Sequence, residues 1–465
     1  MRIKLRLTQT DHAKLQRHLL PGDGLEAVAV VLCGRRKSDS HHCLTVRSVV
    51  PIPYDECKVR TPDRVTWSSQ RLIPLLEEAS RYDLAILKVH SHPGGYSQFS
   101  SIDDESDSDL FNSVFGWTDS EYPHASAVML PGGRMFGRAI LRDGSFQHLD
   151  SILVPGNDLH FWIPDGGGTL PSFTQRHAQL FGSGTTRRLR EMAIAVVGCS
   201  GTGSPLIEQL ARLGVGRLVL VDPDRVEEKN LNRIVNATRE DAYLKRPKVE
   251  AMARAIASMG FATDVEIVPE DLATPKAVKA VAECDVVFGC MDGVEGRHLL
   301  NRLAAFYVLP YFDVGVRLEA DGRGGIDEAS GAVYYIRPDG TTLQDRNVYS
   351  AEQLKAAGLR RTDPKAYREQ VRAGYIRGVD EDRPAVISIN MQMASTAVNE
   401  FLARLHPYRL DDNSDFATVR TSFIQGVNYR ETEESPSGNF FRHIGRGDVR
   451  PLLSMPELSE VEVTT

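Results

Sequence analysis

Apolar runs of strand length alternate with amphipathic segments in the first third of the chain. Residues 10–20 repeat apolar side chains at helical spacing, and Thr10 is the expected N-cap of that helix. A second helix is expected to begin at Ser101, after a Pro-Gly-Gly turn. The expected strands are residues 26–33, 44–50 and 84–89. This pattern predicts an α+β or three-layer first domain over residues 1–150.

From about residue 173 the pattern becomes a regular alternation of apolar strands and amphipathic helices. The predicted strands are 192–197, 217–222 and 311–318, and the predicted helices are 205–213, 351–377 and 386–405. Such alternation is typical of a doubly wound parallel sheet, so an α/β, Rossmann-like domain is expected over residues 173–406. The Gly- and Pro-rich residues 151–172 are expected to be a linker, and residues 407–465 a loop-like tail without an assigned function.

Composition is that of a soluble globular protein. The 465 residues are 42% hydrophobic and 25% charged, which suits two or three domains with separate cores. A net charge of −7 argues against a nucleic-acid partner, and no apolar stretch reaches the ~20 residues of a membrane span. Six cysteines without a disulfide-scaffold pattern favour a reducing compartment, so a cytoplasmic location is expected.

Two histidines and an aspartate have a spacing that suits a metal site. His90 and His92 follow a buried strand, and residues i and i+2 of a strand point to one side, so their imidazoles should converge. Asp103, in the first turn of the next helix, would supply a third ligand and leave a fourth position open for water. The alternative is structural, because Ser100 and Asp103 also form an ordinary helix start with a serine cap. Both interpretations can hold together.

This segment, about the first third of the chain, resembles the JAB/JAMM (MPN) metalloprotease family. The family pattern is a glutamate in an early strand, then H-x-H-P, a serine and an aspartate. The resemblance implies a zinc ion held by His90, His92 and Asp103. Glu26 would be the general base toward the zinc-bound water, and Ser100 would help to hold the oxyanion. The simpler interpretation of Glu26 is a charge that keeps a strand edge soluble.

A second candidate site begins where the strand over residues 192–197 leads into a glycine-rich turn and a helix. Backbone N–H groups at a helix N-terminus approach phosphate oxygens closely when the turn carries glycines. Gly198, Gly201 and Gly203 are therefore candidate nucleotide contacts, although a glycine turn also allows close strand–helix packing. Asp222 lies about 20 residues further on, at a strand end where a ribose would bind. To this point a dinucleotide dehydrogenase fits equally well.

The following stretches add cations and an acid that suit a triphosphate with magnesium. They are D-P-D-R-V-E-E-K-N-L-N-R (222–233), R-P-K-V (246–249) and C-M-D (290–292). With the glycine turn, these motifs resemble the ThiF/MoeB and ubiquitin-activating enzyme family over roughly residues 173–405. Taken singly, each charge is more often a solvated surface residue, and the ordered set is what favours the site.

This second resemblance implies ATP and Mg²⁺ as cofactors and adenylation of a protein C-terminal carboxylate as the reaction. The implied roles are ribose binding for Asp222, phosphate binding for Asn230, Arg233 and Lys248, and magnesium binding for Asp292. Arg233 and Lys248 are the expected catalytic cations. Arg176 matches an arginine that reaches the phosphates, often from the partner subunit, so a homodimer through this domain is expected.

The sequence departs from the second family at two places. Ile234 stands where many members carry glutamine, and no cysteine follows Cys290, so a thioester step has no obvious bearer. Residues 342–345 occupy the place of a C-x-x-C zinc pair without its thiols. Cys199 and Cys290 are interpreted as packing residues. Either the adenylate is the final product, handed to a conjugating-enzyme partner that supplies a thiol, or the second step differs from ubiquitin activation.

The leading hypothesis is a bifunctional enzyme of a bacterial-type ubiquitin-like pathway. One half would adenylate a β-grasp modifier with a C-terminal glycine, and the other would cleave bonds to that modifier or trim its precursor. A second hypothesis is activation of a sulfur-carrier protein, with the protease exposing the terminal glycine. A third is a non-enzymatic scaffold that binds nucleotide and metal.

Overall fold

The computed structural model describes residues 1–166, 169–372 and 384–459. These residues form two compact units with separate sheets. The first unit contains the described residues of Met1–Gly168 together with Ala305–Val308 and Phe440–Ser459. The second contains those of Thr169–Ala304 and Leu309–Asn439.

The first unit has a nine-stranded mixed sheet, a two-stranded hairpin and three α-helices. The strands are β1 (Arg2–Arg6), β2 (Val28–Lys37), β3 (His41–Pro51), β4 (Cys57–Thr61), β5 (Arg64–Trp67), β6 (Ala85–Ser91), β7 (His124–Met129), β8 (Met135–Ile140), β9 (Phe146–His148), β10 (Ser151–Pro155) and β11 (Leu159–Trp162). The helices are α1 (Gln9–Leu19), α2 (Ile73–Tyr82) and α3 (Ser101–Thr118). The large sheet has the order β11-β10-β1-β3-β2-β6-β7-β8-β9, and β4 pairs with β5.

Strand β2 is apolar on both faces because helices cover both faces of the sheet. Val28, Val30 and Leu32 pack in one core with side chains of α2 and α3. Ala29 and Val31 point the other way and pack in a second core with side chains of α1. The first unit therefore has three layers, and β2 reads as a continuous apolar run because neither of its faces meets water.

Three expectations for this unit need correction. The N-cap of α1 is Thr8 rather than Thr10, because Thr8 Oγ1 accepts the N–H of Asp11 at 3.0 Å. The boundary at residue 150 and the linker over 151–172 are wrong, since β10 and β11 belong to the nine-stranded sheet. Strand β10 pairs in parallel with β1. Residues 163–166 and 169–171, which carry prolines and glycines of the expected linker, do lie outside helices and strands.

The segment Phe440–Ser459 packs on β2 and β3 through its glycines. Gly445 O accepts the N–H of Gly34 at 3.1 Å and the hydroxyl of Thr45 at 3.0 Å. A Cβ on Gly445, whose φ is +67°, would overlap Val46 O. Only glycine fits this position, because both the φ and the close approach exclude a side chain.

The second unit has an eight-stranded sheet flanked by helices. Its strands are β12 (Ala193–Val197), β13 (Arg217–Val221), β14 (Asp264–Val268), β15 (Val286–Gly289), β16 (Tyr311–Ala320), β17 (Ile326–Ile336), β18 (Thr418–Ser422) and β19 (Val427–Glu431). Its helices are α4 (Gln175–Glu191), α5 (Gly203–Arg212), α6 (Arg239–Tyr243), α7 (Lys248–Met259), α8 (Pro275–Ala282), α9 (Val294–Tyr307), α10 (Ala351–Thr362), α11 (Pro364–Arg372) and α12 (Ile387–Leu405).

The doubly wound sheet expected from the sequence is confirmed. Five parallel strands lie in the order β14-β13-β12-β15-β16, and the antiparallel strands β17, β18 and β19 continue the sheet. The connections reverse direction between β12 and β15, which is the switch point where open α/β sheets bind ligands. The glycine turn follows β12, and residues 290–292 follow β15. Two of the sequence motifs therefore meet at this edge.

The C-terminal part of the chain differs from the expected tail. Strands β18 and β19 extend the second sheet past residue 406, and Phe440–Ser459 belongs to the first unit, so residues 407–459 are not a loop-like tail. The expected helix over 351–377 is two helices, α10 and α11, and its residues 373–377 lie outside the described residues. No helix within the described ranges has the length and apolarity to cross a membrane.

Candidate metal and nucleotide sites

Four side chains of the first unit converge at the end of β6. His90 pairs with Val28 of β2, so its side chain lies on the face of the sheet that α3 covers. The Nε2 atoms of His90 and His92 are 3.1 Å apart. Asp103 places Oδ1 2.9 Å from His90 Nε2 and Oδ2 3.5 Å from His92 Nε2. Glu26 Oε1 lies 3.9 Å from His92 Nε2. The structure thus brings together all four residues that the first motif singled out.

Helix α3 fixes the position of Asp103 through its cap. Ser100 Oγ accepts the N–H of Asp103, while Asp103 Oδ2 accepts the N–H and the hydroxyl of Ser100 at 2.7 and 2.8 Å. The structural interpretation of this pair is therefore correct, and it coexists with the metal interpretation, because Asp103 Oδ1 still faces His90.

The electrostatics of the cluster separate Glu26 from the other groups. Burial raises the pKa of Glu26 to about 7, with His92 opposing the shift. Burial lowers the pKa of His90. For His92 burial is outweighed by the hydrogen bonds with Asp103 and the Tyr96 carbonyl, so its pKa is raised. Glu26 is only 5% exposed, which rules out the interpretation as a solubilising strand-edge charge and suits a proton acceptor near neutral pH.

The donor set fits a zinc ion. His92 Nδ1 lies 2.7 Å from Tyr96 O, so Nδ1 carries the proton and Nε2 presents its lone pair to the cluster. Two imidazole Nε2 atoms 3.1 Å apart beside a carboxylate are accounted for either by a hydrogen on His90 Nε2 or by a metal ion between them. Ligand atoms of Glu26, His90 and His92 also lie within 4.8 Å of one another. Three of these four residues would suffice to hold a zinc ion.

A buried ion cluster supports this site and escaped sequence reasoning. Asp107, one turn after Asp103 on α3, accepts from Lys88 Nζ at 2.7 Å and from Arg138 Nη2 at 2.8 Å. The guanidinium of Arg138 also lies 3.9 Å from the ring centre of Phe99, at the end of the loop after His92. The i, i+4 spacing of the two aspartates was the available sequence signal, since it places both on one helix face.

In the second unit, the glycines of the turn lie close to other segments, and Gly198 and Gly203 are required by their approach to backbone atoms. Gly198 has φ +94°, and a Cβ there would lie 2.6 Å from Cys290 O. A Cβ on Gly203 would overlap Gly198 O, and one on Gly201 would overlap Asn390 Nδ2. The turn therefore packs directly on the segment that follows β15 and on α12.

Asp222 lies between the glycine turn and Lys248 of the R-P-K-V motif. Its Oδ2 accepts the N–H of Cys199 at 2.7 Å, and its Oδ1 accepts the N–H of Asp224 at 2.8 Å. Lys248 Nζ lies 2.7 Å from Asp224 Oδ2 and 3.9 Å from Asp222 Oδ1. Burial raises the pKa of Asp222, with Lys248 opposing. A buried acid and a buried lysine thus stand beside the glycine turn.

The other predicted nucleotide residues are less closely gathered. Arg233 Cδ lies 3.4 Å from the Cβ position of Gly201, so Arg233 borders the turn. Asn230 is buried and caps a short turn, its Oδ1 accepting the N–H of Glu227 at 3.2 Å. Asp292 is exposed immediately after β15. Arg176 is exposed in the first turn of α4 and makes no ion pair among the described residues.

Asp313 on β16 is a buried acid near Asp292 that sequence reasoning missed, because it stands inside an apolar run. Its Oδ1 accepts from Tyr311 Oη at 2.6 Å and from Arg297 Nε at 3.1 Å. Its Oδ2 has no hydrogen-bond partner in the described part of the chain. Burial raises the pKa of Asp313, with Arg297 opposing the shift and Asp292 adding to it.

The cysteines near the turn behave as packing residues. Burial raises the pKa of Cys199 well above its usual range, and it raises the pKa of Cys290 to about 12. Neither thiol is readily ionised at neutral pH. At the place of a C-x-x-C pair, Thr342 and Asp345 hold each other by reciprocal hydrogen bonds of 2.9 and 3.2 Å. Side-chain hydrogen bonds close this turn.

Comparisons with known proteins agree with the two units. The pattern of the prokaryotic homologs of the JAB domain matches residues 9–138, and that of the ThiF family matches residues 174–436. The fold and sites thus define the class of the protein as a JAB-like domain fused to a ThiF-type Rossmann domain. Because the second match covers more than half of the chain, the protein belongs to the ThiF family.

Individual relatives are similar to only part of this chain. Adenylyltransferase and sulfurtransferase MOCS3 of Mus musculus is 41% identical over 114 residues, which is 24% of each chain. Ubiquitin-like modifier-activating enzyme 5 of Drosophila virilis is 32% identical over 166 residues, 33% of this chain and 39% of that protein. SAMP-activating enzyme E1 of Haloferax volcanii is 34% identical over 158 residues, 34% of this chain and 51% of that protein. The chain thus spans a quarter to a half of these relatives.

Among solved structures, that of E. coli MccB with ATP is similar over 58% of this chain and 74% of that chain. The sequence identity is 14% and the TM-score 0.44. The structure of PaaA is similar over 58% of this chain, with 16% identity and a TM-score of 0.42.

Proposed function

We propose that the protein is a bifunctional enzyme that adenylates the C-terminal carboxylate of a ubiquitin-like β-grasp protein and hydrolyses peptide or isopeptide bonds to that protein. The observation that carries the adenylation half is the joining of the glycine turn, Asp222 and Lys248 at the switch point of the sheet. Membership of the ThiF family supports it, as does the similarity to a ubiquitin-like modifier-activating enzyme and to a SAMP-activating enzyme E1.

In the adenylation reaction a carboxylate oxygen of the partner attacks the α-phosphorus of ATP. The bond from that phosphorus to the bridging oxygen breaks, and pyrophosphate leaves with the electron pair. Negative charge builds up on the phosphate oxygens in this transition state, so fixed cations and N–H donors stabilise the transition state. Lys248, Arg233 and the N–H groups of the turn are the groups available for this role. Asp292 is the residue proposed to hold Mg²⁺, and Asp222 the one proposed to bind the ribose.

For the hydrolytic half, His90, His92 and Asp103 are the proposed zinc ligands. A zinc ion bound there would polarise the scissile carbonyl and acidify water. Glu26, buried with a pKa of about 7, would accept a proton from the attacking water and donate it to the leaving amine. The match of residues 9–138 to prokaryotic homologs of the JAB domain supports a hydrolase. Ser100 holds Asp103 and so orients that carboxylate; a role at the oxyanion remains part of the proposal.

The chain lacks a reactive thiol near the nucleotide site, which shapes the proposed second step. Cys199 and Cys290 have raised pKa values, and no cysteine follows Cys290. The acyl-adenylate would therefore pass to a nucleophile of another protein, such as the thiol of a conjugating enzyme. A cytoplasmic homodimer joined through the ThiF-type unit is the proposed working form, with Arg176 reaching the phosphates from the partner subunit.

The direct test is ATP–pyrophosphate exchange by the full chain with a β-grasp protein that ends in glycine. We expect exchange that requires the terminal glycine, and a loss of about 100-fold in Lys248→Ala. Lys58→Ala, which changes an exposed lysine of β4 in the first unit, is the matched control. Absence of exchange with every such partner, while ATP still binds, would refute the adenylation half.

A sulfur-carrier pathway is the second candidate, favoured by the similarity to MOCS3. The two candidates differ in the fate of the adenylate. Mass spectrometry of the partner after incubation with ATP and a sulfur donor separates them, since a thiocarboxylate adds about 16 Da by replacing oxygen with sulfur, whereas conjugation joins it to an amine.

A further inference from the structure

Asn390 is a polar side chain of the second unit that the proposed adenylation site does not yet use. It is the fourth residue of α12, is only 5% exposed, and packs against the glycine turn. Within the described residues no hydrogen bond of its side-chain amide is found, and its backbone N–H donates to Val386 O at 3.1 Å. The amide of this largely buried residue is therefore available to a ligand or to water.

The Asn390 amide lies directly against the glycine turn of the proposed nucleotide site. A Cβ on Gly201 would overlap Asn390 Nδ2 and would lie 3.4 Å from Arg233 Cδ. Because Gly201 has no side chain, the Asn390 amide can contact the turn at this position, next to Arg233. In a strict G-x-G-x-x-G motif the middle glycine would stand at Ser200, so Gly201 is one position later than that motif places it.

The surroundings favour an anion. Asn390 lies in the first turn of a 19-residue helix whose N-cap residue, Val386, contributes no side-chain bond. The first N–H groups of a helix lack intrahelical acceptors, and the helix dipole favours negative charge at this end. The N-terminus of α5 begins at Gly203, two residues after Gly201. Two helix starts, an arginine and an unpaired amide therefore border the same turn.

We propose that Asn390 donates a hydrogen bond to a phosphate oxygen of the bound nucleoside triphosphate, so that α12 closes the glycine turn over the phosphates. The inference rests on the proposed nucleotide site and adds to it a contact from an element about 190 residues away in sequence. Because Asn390 would touch the triphosphate but not the base or ribose, it should affect ATP and leave adenosine unaffected.

The test is calorimetric titration of the full chain with ATP, in the presence of Mg²⁺, and with adenosine. Asn390→Ala should raise the Kd for ATP by about fivefold or more, the usual effect of losing a hydrogen bond to a charged group. Asn390→Asp keeps the shape but adds a negative charge, so it should raise the Kd further. The Kd for adenosine should change by less than about twofold in both. Gln392→Ala, at an exposed position of the same helix, is the control and should match the wild type.

Several outcomes would overturn the inference. Unchanged ATP binding in Asn390→Ala and Asn390→Asp, or equal weakening of ATP and adenosine, would show that the amide only packs. Failure of both variants to fold, seen as loss of the thermal transition, would make Asn390 a structural residue. Lys248→Ala is titrated in parallel. If it weakens ATP binding while the Asn390 variants do not, the proposed function stands and this inference fails. If the wild type binds no ATP, both fail.

Discussion

Ser100 and Asp103 hold each other at the start of α3, with Ser100 Oγ accepting the N–H of Asp103 and Asp103 Oδ2 accepting the N–H and hydroxyl of Ser100. The same carboxylate places Oδ1 2.9 Å from His90 Nε2. A helix cap therefore also orients a proposed metal ligand, and the stability of the helix is linked to the geometry of the site.

Replacing Ser100 by alanine should lower both the stability of the fold and the affinity for zinc. Loss of the cap is expected to lower the free energy of unfolding by about 1 kcal/mol, and loss of the bond to Asp103 to lower zinc affinity about tenfold or more. Zinc competition with a chelating dye and urea unfolding measure the two effects. Ser100→Thr, which keeps the hydroxyl, should retain both properties. Lost stability with unchanged zinc affinity would show that the helix alone positions Asp103.

Glu26→Gln distinguishes a proton acceptor from a metal ligand. If Glu26 is the general base, the variant should bind zinc as the wild type does and lose hydrolysis of a modifier-derived peptide by about 100-fold or more. Metal analysis of the purified protein and a peptidase assay provide the two readings. Glu105→Gln, at an exposed position on α3, is the control and should retain both. Loss of zinc in Glu26→Gln would instead make Glu26 a ligand.

Asp107→Asn should destabilise the first unit strongly. It removes the negative partner that Lys88 and Arg138 share, whose side chains are 5% and 6% exposed, and so leaves Arg138 with only the exposed Asp104 and Lys88 without its carboxylate. A loss of roughly 3–5 kcal/mol is expected. Asp104→Asn removes the neighbouring carboxylate, which also pairs with Arg138 but is 53% exposed, and should cost at most about 1 kcal/mol. Equal effects in urea unfolding would contradict a buried ion cluster.

Gly445→Ala should release the segment Phe440–Ser459 from the first sheet. The added Cβ would overlap Val46 O, and loosening should speed hydrogen exchange of the Gly34 N–H, which donates to Gly445 O. Gly426→Ala is a close control, because Gly426 also has φ +67° but has no atom within 4 Å of its Cβ position. It should show only the strain of a positive φ, about 1–2 kcal/mol, with Gly34 still protected.

Acid should destabilise the first unit through two buried histidines. Burial, with Arg35 nearby, lowers the pKa of His42 and of His124 well below 6.5. Unfolding restores their ordinary pKa, so the unfolded chain binds more protons below pH 6.5 and stability falls as pH drops, by about 1.4 kcal/mol per pH unit for each histidine. This contribution is fully present above pH 6.5.

The measurement for this effect is urea unfolding at pH 7.0 and at pH 5.5. His124 Nδ1 accepts the N–H of Ile86 at 2.9 Å, and in His124→Asn the amide oxygen keeps that bond without a proton to gain. The variant should therefore lose less stability between the two pH values than the wild type. His148→Asn, at an exposed position, should follow the wild type. An equal loss of stability between the two pH values in the wild type and both variants would show that other titratable groups dominate the pH dependence.

Local patterns were enough to predict both folds and the two principal clusters. An i, i+2 pair after an apolar strand places His90 and His92 on one side whatever the rest of the chain does, because strand geometry fixes that direction. The glycine turn and Asp222 follow consecutive parallel strands, and the carboxyl ends of parallel strands share one edge of the sheet. The linker began too early and the tail was mistaken because β10, β11, β18 and β19 are short strands that belong to sheets built from remote parts of the chain.

The sequence by itself determined the alternation of strands and helices, the residue types at each site and the absence of a cysteine after Cys290, because these are properties of neighbouring residues. Only the tertiary structure decided which groups from distant parts of the chain contact the residues of each site. It set Glu26 at 3.9 Å from His92, and it buried Glu26 so that the pKa of this carboxyl rises to about 7. It also brought Asn390 onto Gly201 and Gly445 onto Val46. Burial and contacts between remote residues depend on how sheets and helices pack, and no local pattern encodes that packing.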